Sequence, residues 1–177
     1  MNGKRASEIN QPFYRQNSIY VGTISDAEFC VSFTKVITGF VYLEQRMASV
    51  LAVLSGASDR SAANFVISSI VSPTAKAKVL RSLLCKADLN RKRGPAFDEI
   101  IDEFEKISRL RNAYVHGRWW TSNTGNKTIL DASPDPDQAL VKARVVKIKE
   151  LQQLLDRMLD LHQLIAREVE VFLPAKK

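Results

Sequence analysis

At 177 residues the chain has the length of one domain with a substantial core, and a composition of 45% hydrophobic and 25% charged residues excludes a disordered or fibrous protein. Its 26 lysines and arginines outnumber 19 aspartates and glutamates, giving a formal charge of +7 that suits a polyanionic partner. Cys30 and Cys85 lack the close spacing of a zinc site or a disulfide scaffold, which fits a reducing cytoplasm.

Residues 1–25 start basic with no apolar run behind, so no signal peptide is expected. They read as an N-terminal arm, with a short alternating patch from Ile19 to Ile24, ahead of a domain spanning 26–177. Charge is expected to break every apolar stretch short of the roughly 20 residues of a membrane span. A soluble, cytoplasmic protein with no membrane contact is the expectation. From Asp26 onward Phe33, Val36, Phe40, Leu43, Met47, Val50 and Leu54 recur at threes and fours, which predicts one face of a long helix stopped by Gly56. A shorter segment from Ala62 to Val71 follows, and Pro73 opens another helix running to about Ala87.

After the basic loop around Arg91, Lys92 and Arg93, a helix from Pro95 to Gly117 turns Phe97, Ile100, Ile101, Phe104, Ile107, Leu110 and Tyr114 inward. Asp98, Asp102 and Glu105 fall on its opposite side. Arg118 to Ala132, with two tryptophans, β-favouring residues and a turn at Thr124-Gly125-Asn126, predicts a small β-hairpin. The last helix repeats Ile148, Leu151, Leu155, Met158, His162, Ile165, Val169 and Phe172. The pattern predicts an all-α antiparallel helical bundle with a hairpin inserted before its last long helix.

The chemistry concentrates near the end of the Pro95–Gly117 helix. At 100° per residue Arg111 lies within about 20° of Phe104, inside the apolar stripe. A guanidinium there needs a carboxylate, a polar surface or an anionic ligand, because an isolated buried cation is too costly. Glu44 falls inside the stripe of Phe40, Met47 and Leu51 and is the expected partner of Arg111. Asn112 and His116, four residues apart, project from one side of the same turn. Arginine holds phosphate charge, asparagine orients an oxygen and imidazole moves a proton near neutrality. Together they form a set able to cleave a phosphodiester without a metal or other cofactor.

The run Arg111-Asn112-Ala113-Tyr114-Val115-His116-Gly117, late in a helical bundle, resembles the Arg-Asn, three residues, His signature of the HEPN superfamily. That resemblance implies a small helical bundle, a homodimer whose arginines and histidines face one another across a shared cleft, and a metal-independent endoribonuclease of a toxin-antitoxin, stress or antiphage system. Carried over, His116 becomes the proton-transfer residue, Arg111 the stabiliser of phosphorane charge and Asn112 a positioning group. The products are then a 2′,3′-cyclic phosphate and a 5′-OH, and a cognate antitoxin or regulatory protein is an implied partner. One branch of the family carries a tyrosine two residues after the histidine, where this chain has Arg118. Regulation through that tyrosine is therefore not expected, and Tyr114 faces the apolar side.

The same residues admit a second reading, a buried polar network that fixes helix or dimer register. On it the chain is a non-catalytic HEPN-like module binding RNA, nucleotide or a protein partner. For RNA contact the candidates are Arg91, Lys92 and Arg93, the groups Lys76, Lys78 and Arg81 and Lys142, Arg144, Lys147 and Lys149, then Arg118 beside the motif and Trp119 as a base-stacking ring. Solvated helix faces explain the lysine and arginine groups equally well. Of Trp119 and Trp120, alternate on a strand, one is expected to pack and the other to be exposed. His162 reads as a core or interface histidine. No metal site is expected, since the acidic residues 98–105 line a polar face without a Glu-x-x-His motif.

Overall fold

The computed structural model describes residues 19–21, 26–57, 59–87, 94–122, 128–131 and 143–171. The described chain is mostly helical. Its helices are α1 (Ala27–Ser55), α2 (Arg60–Ser69), α3 (Pro73–Lys86), α4 (Gly94–His116) and α5 (Ile148–Glu170). Its strands are β1 (Ile19–Val21), β2 (Arg118–Ser122), β3 (Thr128–Asp131) and β4 (Ala143–Val146). Two compact units divide the chain, Met1–Val36 with Leu110–Gln153 and Ile37–Arg109 with Leu154–Lys177.

In the second unit the helices begin and end where backbone chemistry demands. Gly56 adopts φ +67°, and its N–H bonds to the Val53 carbonyl while that of Ala57 bonds to Ala52, which closes α1 in a Schellman cap. Asp59 accepts from the Ser61 N–H at 2.7 Å, so α2 starts slightly earlier than its apolar period suggests. Ser72 caps α3 through the Ala75 N–H at 3.3 Å, with Pro73 in the first turn. Phe40, Leu43 and Met47 of α1 are buried, as are Phe97, Ile100, Phe104 and Ile107 of α4. The rings of Phe40 and Phe104 stack at 5.9 Å with planes 13° apart.

The α5 stripe differs from expectation in two places. Leu154 and Leu161 are the deeply buried residues, while Leu155 and His162 are only half-buried. Steps of three and four from Leu151 to Met158 pass through either 154 or 155, and both are leucine, so spacing alone left the choice open. Phe172 lies outside the described residues.

Contrary to the expectation for membrane spans, α1 is long and apolar enough to cross a membrane by length and composition; half of its apolar window is buried in protein. Phe29, Val36, Phe40, Leu43, Met47 and Val50 explain that apolarity as core.

The first unit is built on a sheet of order β1-β2-β3-β4 with every neighbouring pair antiparallel. Trp119 pairs with Leu130 and Trp120 with Ile129, while Tyr20 pairs with Thr121 on the other edge of β2. The expected hairpin segment is thus part of a wider, four-stranded sheet in a mostly helical chain. β1 comes from the segment read as an arm. β4 lies in a stretch read only as basic, where Arg144 is exposed and Val146, two residues on, is buried.

Candidate functional site

The candidate motif occupies the last two turns of α4, within the sheet-bearing unit. Arg111 is half-buried, and its Nη1 donates to Oδ1 of the adjacent Asn112 at 3.1 Å. Asn112 is half-buried and His116, the final helical residue, is exposed. Around the helix axis Asn112 and His116 lie about 100° and about 140° from Arg111, so a single arc runs from the half-buried arginine to the exposed imidazole. A cationic fork, an amide and an accessible imidazole on one arc suit an anionic, proton-transferring site.

Tyr114, on the other flank of Arg111, is buried. Its carbonyl accepts from Trp119 Nε1 at 2.8 Å. The Arg144 guanidinium sits 6.0 Å from the centre of the Tyr114 ring, with Nη2 3.5 Å from the phenol oxygen. Arg144 Nη1 also donates to Glu150 Oε2, and Glu150 Oε1 accepts from the Lys147 N–H at 3.0 Å, fixing the start of α5. Burial opposes the charge on Arg144, but the Glu150 carboxylate and the Tyr114 hydroxyl outweigh it and hold its pKa above the ordinary arginine value.

Several expected assignments change. Glu44, expected beside Arg111, is ion-paired with Lys76. Lys76 therefore leaves the proposed RNA track: it is 6% exposed because it occupies the apolar side of α3, beside buried Ala77 and Leu80. That placement was legible in its spacing of four from Leu80. Arg81 also leaves the track, since it bridges Asp102 at 2.7 Å and Glu105 at 3.1 Å. A hydrogen bond from Arg109 holds the Glu105 pKa below its ordinary value against the opposing effect of burial, with Arg81 adding to the lowering.

Trp119 is not a free stacking platform. Its ring meets Phe29 at 5.5 Å and Phe33 at 5.4 Å, both edge-on, and Tyr114 at 5.9 Å. An indole held on three rings and bonded to a carbonyl is a packed residue; the side chain of Trp120 lies outside the described residues. Strand β2 starts at Arg118, whose side chain lies outside the described residues together with Arg91, Lys92 and Arg93. Arg144, read only as part of a basic group, was the missed neighbour of the motif. Its signal was a long cation two residues before a valine, on the same face of a short strand.

A cleft of about 690 Å³ in the helical unit is lined by Asp98, Glu99, Asp102, Glu103 and Asp160, with Lys106 and Arg157 among them. Its carboxylates repel phosphate, and no motif residue lines it. Comparison with protein-family models, curated proteins and solved structures finds no match to this chain.

Proposed function

We propose that the chain is a metal-independent endoribonuclease of the HEPN-like kind, serving a toxin-antitoxin, stress or antiphage system, with Arg111, Asn112 and His116 as its site. The observation that supports this most is the grouping on α4 of an exposed imidazole one helical turn beyond an asparagine that is bonded to a half-buried arginine. In this mechanism His116 takes the proton of a ribose 2′-OH as its oxygen attacks the adjacent phosphorus. Arg111 holds the negative charge gathered on the phosphoryl oxygens, and Asn112 fixes the direction of the guanidinium. The P–O5′ bond breaks, the leaving oxygen takes up a proton, and the strand ends are a 2′,3′-cyclic phosphate and a 5′-OH. In a homodimer the second subunit's imidazole supplies that proton.

The test is single-turnover cleavage of labelled RNA by wild type, Arg111→Ala and His116→Ala. Loss of a proton-transfer group lowers the rate about 10²–10⁴-fold while RNA binding persists. Equal rates in wild type and His116→Ala would remove the assignment. Binding of RNA or nucleotide with no cutting by wild type would favour the non-catalytic module, in which Arg111 and Asn112 only hold the ligand. Light scattering at about twice the monomer mass is expected of the composite site, and a strict monomer would contradict it.

A further inference from the structure

The end of α4 poses a problem in backbone chemistry. A helix leaves its last four carbonyls without helical partners, and here those belong to residues 113–116. The carbonyl of Ala113 takes the Gly117 N–H at 3.0 Å. That of Tyr114 takes a side chain, the indole N–H of Trp119, at 2.8 Å. The bond closes a short ring of chain around Val115, His116, Gly117 and Arg118, so the turn that presents the imidazole is held from both ends.

The donor is itself immobilised. Trp119 stands on β2 and its ring is edge-on to Phe29 and Phe33 of α1, so its Nε1 direction is set by packing rather than by a free rotamer. On the far side, Arg144 from β4 lies against the Tyr114 ring and is anchored by Glu150 of α5. The helix end is therefore gripped at a carbonyl and at a ring by two strands of one sheet. An exposed histidine at a fraying helix terminus samples many positions, whereas proton transfer needs the imidazole held within a few tenths of an ångström of its partner.

We infer that Trp119 is a positioning residue for His116, acting as a side-chain cap on the helix that carries it. The catalytic part of this inference rests on the nuclease reading; the mechanical part does not. The decisive variant is Trp119→Phe in the full chain, which keeps an aromatic ring against Phe29 and Phe33 and removes only the N–H donor.

Amide hydrogen exchange at Val115, His116 and Gly117 is expected to quicken about fivefold to tenfold, the effect of losing one net hydrogen bond, while amides around Ile101 and Phe104 keep their wild-type rates. Unchanged exchange at 115–117, or an equal rise throughout the chain, overturns the inference. Should Trp119→Phe not fold, exchange of the Trp119 indole proton in wild type decides: protection supports the cap and solvent-like exchange refutes it. In RNA cleavage the variant should lose kcat with KM unchanged, and a rise in KM alone would instead mark Trp119 as an RNA contact. If wild type cuts no RNA, the nuclease reading fails while the exchange result still decides the cap.

Discussion

Removing the carboxylate of Glu44 strands the ammonium of Lys76, whose side chain is 7% exposed against 28% for Glu44. Breaking a buried pair from one side costs about 3–5 kcal/mol. The partial exposure on the acidic side lets water reach the ammonium once the carboxylate is gone, which sets the cost of Glu44→Leu near about 3 kcal/mol. At about 2–4 °C per kcal/mol for a chain of this size, Tm falls by about 6–12 °C. Lys76→Met leaves the more exposed partner, which water can hydrate, and costs about 1–2 kcal/mol. The double variant carries neither charge and lies within about 1 kcal/mol of wild type, since a matched apolar pair replaces a buried ion pair at little cost. Thermal and urea melts of the four proteins give the coupling energy directly. A double variant as unstable as the sum of the two single losses would show that the two charges do not depend on each other.

Phe104→Ala removes one ring of the Phe40 stack from a fully buried site and is expected to cost about 3–5 kcal/mol in urea melts; a loss under about 1 kcal/mol would mean that the site collapses around the deletion. An added Cβ at Gly56 meets nothing within 4 Å, so Gly56→Ala carries only the strain of its left-handed backbone, about 1 kcal/mol, and should shift Tm by a few degrees. His162 is held below its ordinary pKa of 6.5 by burial and by the Arg46 charge. The unfolded chain then protonates first, so the stability His162 contributes is complete above 6.5 and is lost as pH falls through the lower folded value. Stability measured against pH should therefore decline less steeply on the acid side in His162→Gln, and an unchanged profile would contradict the shift.

The helices were legible because their signals are local and redundant. Gly56, Pro73 and the apolar periods of α1 and α4 each mark an element without reference to the rest of the chain. The sheet was not, because β1 and β4 have 3 and 4 residues and are stabilised by partners far away in sequence. The segment holding Trp119 and Trp120 carried strand character, but nothing in it announced that Tyr20 and Val145 would lie alongside.

For the site, helical spacing was enough to group Arg111, Asn112 and His116. Partner choice was beyond it: Glu44 and Arg111 are each off-pattern in an apolar stripe, and so is Lys76, and only tertiary placement selected Lys76 as the ion pair of Glu44. Trp119 shows the same limit. An indole beside a basic motif reads as a nucleic-acid contact until its N–H is seen bonded to the backbone of the motif itself.

Metal-free strand scission by His116 with Arg111, as proposed, leaves a chemical signature on the RNA it cuts. Its most direct test is the chemistry of RNA ends after incubation of wild type and His116→Ala with labelled structured RNA in excess EDTA. Wild type is expected to leave 2′,3′-cyclic phosphate and 5′-OH ends, and the variant to leave the RNA intact. Ends bearing 3′-OH and 5′-phosphate, or cleavage that survives in His116→Ala, would contradict it.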